Sequence, residues 1–196
     1  MRIAHIIGNG DSAQLYTPSP GFKITCNLPP FEVRDVYTTC IVDFKMMRAI
    51  AEGSVVVPGE WVLGARPKMF CERNPMFHLK HAGQIKEFYT ELPKYANDYT
   101  AFNCGHMATY FSIRRLKADQ INMYGFDSMF NANLRSYSDL FLPSDRHSAN
   151  NARLASTWRP IWQQMFAEHS NIEFVIHNKT NSIQFNIPDN VRIQIH

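Results

Sequence analysis

The stretch Gly8-Asn9-Gly10-Asp11-Ser12 has the residue types and spacing most suited to chemistry: two glycines flank an Asn directly after a short apolar run. Glycines at such a turn admit φ > 0 and let a ligand approach main-chain N–H groups closely. Asp11 or Ser12 could cap a helix through Gln14 and Leu15, whose N-terminus would favour an anion. Together these features make a cradle for a phosphate group. Gly8, Gly10 and Ala13 also fit the dinucleotide spacing G-x-G-x-x-G/A. That fingerprint wants a carboxylate at the end of the second strand; the chain has Asn27 there, with Glu32 and Asp35 the nearest acids.

Other residues offer chemistry against plainer alternatives. Asn103-Cys104-Gly105 opens a helix, where a thiol would be acidified, but no His stands at a nucleophile's partner spacing. Asp43 reads as a helix cap, and Asp127 either binds an acceptor or caps the following turn. His147 precedes a helix; a surface role competes with that of a general base, for which a mostly neutral imidazole is suited. Arg66, Arg73 and Arg146 could each neutralise a leaving phosphate. His78 and His81 form H-x-x-H without a Cys or second pair to complete a tetrahedral set, so no metal ligands are expected. Trp158 and Trp162, four apart, read as core.

Elements must hold these residues in place. Strands are expected at Ile3–Ile7, Phe22–Cys26, 37–42, 61–64, 121–125 and 172–176, and helices at 44–51 and 103–116. Gln84–Leu92 reads as helical, and Ser148–His169 as the longest amphipathic helix, kinked or broken at Pro160. Ile183–Ile195 reads as a hairpin about Pro188-Asp189-Asn190. Alternating strands and helices predict an α/β domain with a largely parallel sheet, whose ligand sits outside the carboxyl ends of the strands. Gly8 to Ser12, Asn27, Asp43, Asn103 to Gly105 and Asp127 then share one rim.

At 196 residues and a net charge of +3, one domain over 1–196 is expected, and the charge is too slight to argue for nucleic acid. No stretch approaches the roughly 18 apolar residues of a membrane span. Four widely spaced cysteines read as reduced thiols of a cytoplasmic protein.

Five short motifs resemble bacterial sialyltransferases of the Campylobacter type. They are Gly8-Asn9-Gly10-Asp11-Ser12, Thr25-Cys26-Asn27, Asn103-Cys104-Gly105-His106-Met107, Gln120 through Asp127, and Arg146-His147-Ser148-Ala149-Asn150-Asn151. The resemblance implies a Rossmann-like glycosyltransferase that takes a CMP-activated sugar, sialic acid or a relative, and transfers it to a glycan or other hydroxyl with inversion. No metal or cofactor is implied. Asn9, Asn27, Asn103 and Gly105 would hold the nucleotide sugar, Gly10 and Ser12 would shape the phosphate turn, and His147 would be the base. Gly8, Asp11, Cys104 and Asp127 complete the expected nucleotide site.

Asp11 stands where the family has proline, and Asn103 where it has serine. The lid between Asp127 and His147 is short and contains Tyr137; a neighbouring subunit of a homo-oligomer could complete it. Two other functions remain open. One is a Mg²⁺-dependent pyrophosphokinase-like transferase using Asp11, Asp43 and Asp127. The other is a nucleotide-binding protein without catalysis.

Overall fold

The structure, a computed structural model, describes residues 1–130, 157–183 and 185–196. Eight strands form one sheet: β1 (Ile3–Ile7), β2 (Phe22–Cys26), β3 (Val36–Ile41), β4 (Trp61–Leu63), β5 (Ile85–Phe88), β6 (Gln120–Tyr124), β7 (Glu173–Asn178) and β8 (Val191–Ile195). Their order is β5-β4-β3-β2-β1-β6-β7-β8, and every neighbouring pair is parallel. The helices are α1 (Phe44–Glu52), α2 (Ala65–Arg73), α3 (Pro75–His81), α4 (Cys104–Arg114) and α5 (Arg159–Glu168). The expected α/β architecture is therefore present, with a wholly parallel sheet.

The order explains the layering. From β1 the chain first builds outward to β5, then returns to β6 on β1's other side and builds outward to β8. Right-handed crossovers in opposite directions put their connections on opposite faces. On one face Ile41, Trp61 and Leu63 pack with Met46, Met47 and Ile50 of α1 and Cys71 of α2. On the other, Ile6, Ile24, Met123, Phe174 and Ile176 pack with residues of α4 and α5. Central strands covered on both sides must be apolar almost throughout, and the Ala4–Ile7 and Ile121–Tyr124 runs meet that demand save for His5 and Asn122.

Local signals set the helix ends. α1 stops at Gly53, whose φ of 77° is left-handed and whose N–H closes on Ala49 and Ile50 carbonyls. α4 starts with a capping box: the Asn103 side chain accepts from His106 N, and the His106 side chain accepts from Asn103 N. Pro160 lies in the first turn of α5, where its missing N–H costs nothing, and the α-helix starts directly after a π-helical step at Thr157 and Trp158.

Two expectations are corrected, and one stretch without an assigned element gains two helices. Residues 85–88 form edge strand β5 rather than a helix; Lys86 and Glu87, whose charges resemble a helix surface, pair outward with Glu60 and Arg115. Residues 65–81, which lack a clean apolar period, fold into α2 and α3. The terminal segment makes no hairpin: β8 runs parallel to β7, and Ile183, Phe185 and Ile187 of its connection pack on the core.

Candidate functional site

Two turns meet at the carboxyl ends of β1 and β6, the point where strand order reverses and where α/β sheets bind ligands. Gly8 N–H donates to Tyr124 O (2.7 Å) and Gly10 N–H to Gly125 O (3.1 Å), so the β1 turn continues the ladder beyond the strand. A Cβ at Gly8 would lie 2.7 Å from Gly125 O, and one at Gly10 only 2.1 Å from Asp127 Oδ2. Neither glycine has positive φ. They are required because the chain itself packs against them, which differs from the expected left-handed turn. Gly125, with φ of 78°, is the residue that takes that conformation.

Asp11–Leu15 forms a 3-10 turn whose N-cap position is Gly10 and which has no side-chain cap. Its N-terminus already holds an anion. The Asp127 carboxylate accepts from Ser12 N (3.0 Å to Oδ2, 3.2 Å to Oδ1) and from Ser12 Oγ (2.8 Å), and Ser12 Oγ accepts from Gly125 N (3.0 Å). Both residues are buried. The protein's own carboxylate thus fills the place where sequence reasoning expected an outside phosphate. Ala13 N–H donates to Gly10 O, so the turn's N–H groups without an acceptor among the described residues are those of Asn9 and Asp11. Asp11 is exposed.

A second group lies at the ends of β2 and β3 and the start of α4. Asn27 is left-handed (φ 53°), a conformation Asn tolerates, and its N–H donates to Cys40 O at 2.9 Å. Asn27 is 7% exposed, and its Oδ1 is buried with no hydrogen-bond partner among the described residues. Cys104 Sγ donates to Cys40 O at 2.9 Å. Burial, and then the neighbouring Cys26 thiol, push the Cys104 thiol well up, opposite to the acidification expected of a helix N-terminus. At Gly105 a Cβ would lie 2.6 Å from the Phe126 ring, so this glycine lets α4 approach the β6 turn. Asn9 joins the two groups: its Nδ2 donates to Leu28 O, next to Asn27.

The helix cap reaches further. His106 Nδ1 accepts from Asn103 N, so the ring proton is on Nε2, which donates to Trp158 O at 3.1 Å. Burial holds this imidazole down at about 3, so it stays neutral. Arg159 donates to Ser128 O through Nε (3.3 Å) and Nη2 (3.1 Å). Ser128 and Trp158 are thus held by side chains of α5 and α4. His147, Tyr137 and Arg146 lie outside the described residues.

Asp43 occupies the N-cap position of α1 without a capping bond; its carboxylate pairs with Arg66 Nη2 at 3.1 Å. Arg66 also lines a cleft at the ends of β3 to β5, together with Val42, Tyr89, Glu91, Tyr99 and Phe102. Arg73 is exposed on α2. His81 Nδ1 bonds Gln84 and the His78 ring packs on Phe88. Among the described residues no three His, Cys, Asp or Glu side chains converge on a metal position.

No family model, curated protein or solved structure matches the chain. Among the described residues no helix is long and apolar enough to cross a membrane. Sequence reasoning singled out Gly8, Gly10, Ser12 and Asp127, which meet at the two turns, and Asn27, Cys104 and Gly105, which fall in the neighbouring group. It missed Gly125 and the bonds from His106 and Arg159, which join residues 31 to 52 apart. The Tyr124-Gly125-Phe126-Asp127 run was the available signal for the second turn.

Proposed function

We propose that this chain is a metal-independent glycosyltransferase that takes a nucleotide-activated sugar, sialic acid or a related one, and transfers it to an acceptor hydroxyl. The observation that carries this reading is the Asn27 Oδ1, buried without a partner beside the carboxyl rim. A hydroxyl or amino group of the nucleotide would supply the missing donor. The N–H groups of Asn9 and Asp11 would face its phosphate. Asp127 then acts through Ser12 as a positioning residue, and Asn103 and Gly105 set the approach of α4.

His147, which lies outside the described residues, would deprotonate the acceptor hydroxyl. The reaction is one displacement: the acceptor oxygen bonds the anomeric carbon as the bond to phosphate breaks, and the proton passes to the imidazole. Positioning and stabilisation of the leaving phosphate supply the catalysis. The five motif resemblances, in order along the chain, support the same reading. Four free, buried thiols suit a cytoplasmic protein. A neighbouring subunit would complete the short lid in a homo-oligomer.

The Mg²⁺-dependent diphosphate-transfer reading draws no comparable support. Of its three carboxylates, Asp127 is engaged by Ser12 and Asp43 by Arg66.

The test is a thermal-shift series with CMP, other nucleotides and nucleotide sugars, with and without Mg²⁺, on wild type, Asn27→Ala and His147→Ala. The expected result is stabilisation by CMP without metal, weakened in Asn27→Ala. His147→Ala should keep that binding while losing release of CMP from a CMP-sugar. A shift only with nucleoside triphosphate and Mg²⁺ would move the assignment to the diphosphate transferase. Binding without turnover in wild type would leave a nucleotide-binding protein, and no shift with any nucleotide overturns the proposal.

A further inference from the structure

The sheet face away from α4 and α5 carries polar rings that the rim site does not use. Strand register sets His5 beside Asn122 and Tyr124 beside His177. His177 Nε2 lies 3.2 Å from Asn122 Oδ1, a carbonyl oxygen that only accepts. The His177 proton is therefore on Nε2, and the neutral ring presents a lone pair at Nδ1. His196 Nε2 stands 2.8 Å from that Nδ1. The Tyr124 ring stacks on His177 at 4.2 Å and 16°, fixing the imidazole from its other side. His177 is half-buried on β7, whereas His196, directly after β8, is exposed and open to solvent.

We propose that His177 Nδ1 and His196 Nε2 form a two-imidazole site for a divalent transition cation of the zinc class, with water completing the coordination. Zinc bonds imidazole nitrogen at about 2.0–2.1 Å, and tetrahedral geometry sets two such nitrogens about 3.3 Å apart. The rings need to part by only roughly half an ångström to admit the ion. A ring whose far N–H is held by an oxygen acceptor is the usual arrangement of a metal-binding His, and Asn122 supplies that acceptor. The proton balance closes within the pair. His196 moves its proton from Nε2 to Nδ1, both rings stay neutral, and each gives one lone pair.

The charged and titratable neighbours include His5, Tyr124 and Arg192. Arg192 is engaged by Glu173 Oε1 (3.3 Å) and Gln194 Oε1 (3.1 Å).

The test titrates ZnCl₂ into the full chain and follows Tm, with wild type, His177→Gln, His196→Gln and His78→Ala in parallel. His78→Ala breaks the other two-histidine spacing in the described chain. The expected result is a rise in Tm that grows with Zn²⁺, reverses with EDTA, persists in His78→Ala and disappears in His196→Gln. His196→Gln changes an exposed ring, so its metal-free Tm should match wild type. With CuCl₂, the electron paramagnetic resonance spectrum should show hyperfine splitting from two imidazole nitrogens, lost in either His177→Gln or His196→Gln. No Zn²⁺-dependent rise in wild type, a rise that survives in both Gln variants, or its loss in His78→Ala overturns the proposal.

Discussion

Asp127, at the end of β6, accepts both the N–H and the Oγ–H of Ser12, a residue 115 positions earlier that follows β1. The pair clamps the two turns at the reversal of strand order, so the shape of the rim rests on one buried carboxylate.

Removing that carboxylate should be costly. Asp127→Ala leaves Ser12 N–H and Oγ without their acceptor in a buried site and should lower stability by about 2–4 kcal/mol in urea unfolding. Ser12→Ala should cost about 1–2 kcal/mol. The double variant should cost less than the sum, because both changes delete the same bonds. Additive losses would show that the clamp is not a unit.

Gly10→Ala tests the closeness of the turns. The added methyl would meet Asp127 Oδ2 at 2.1 Å, so one of the turns must move. A loss of about 1–3 kcal/mol is expected. The same substitution should cost less in an Asp127→Ala background, where the atom it strikes is gone. Equal costs in the two backgrounds would place the strain elsewhere.

Acid should weaken the fold through its buried imidazoles. His106 is held at about 3 and His177 at about 4, while the unfolded rings titrate near 6.5. Both groups are neutral in the folded chain at neutral pH. As pH falls below about 6.5 the unfolded state takes up protons that the folded state refuses, so stability drops until the folded pKa values are reached. For fully buried His106 the total is on the order of several kcal/mol. Urea midpoints measured between about pH 7.5 and about pH 5 should therefore fall, and His106→Gln should flatten the dependence.

The thiols should resist labelling. All four cysteines are free and buried, and burial pushes Cys40, Cys104 and Cys71 (the last to about 11) away from the thiolate form. Iodoacetamide should leave the native protein unmodified over a time in which the urea-unfolded chain reacts at all four positions, read by intact mass. Rapid native labelling at Cys104 would reopen its reading as a nucleophile.

What the sequence made legible was local. β1, β2, β3 and β6 announce themselves by short apolar runs, and α1 by a periodic stripe that ends at Gly53. β5 hid because an edge strand needs charge on its exposed side, and Ile-Lys-Glu-Phe is equally a helical pattern. Ile183–Ile195 reads as a hairpin because Pro188-Asp189-Asn190 is sound turn chemistry. Nothing local says that the next strand must join β7 in parallel. The rim followed the same division. Gly8 and Gly10 marked the turn, but the partner that fills it, Asp127, comes from the far half of the chain. Asn27 was identified by its place at a strand end, whereas its unpartnered oxygen depends on tertiary packing.

The central position of β1 has a kinetic consequence. Its partner β2 lies near in sequence, but its other partner β6 is paired Ile3 to Gln120. Strands β1 to β5 can add one after another as they leave the ribosome, whereas β6 must close a loop of more than a hundred residues before any reward returns. Ser12 and Asp127 fall on opposite sides of that closure. A nascent chain halted before β6 would display the glycine turn without its clamp, and ligand binding at the rim would report that the longest-range pairing of the sheet has been made.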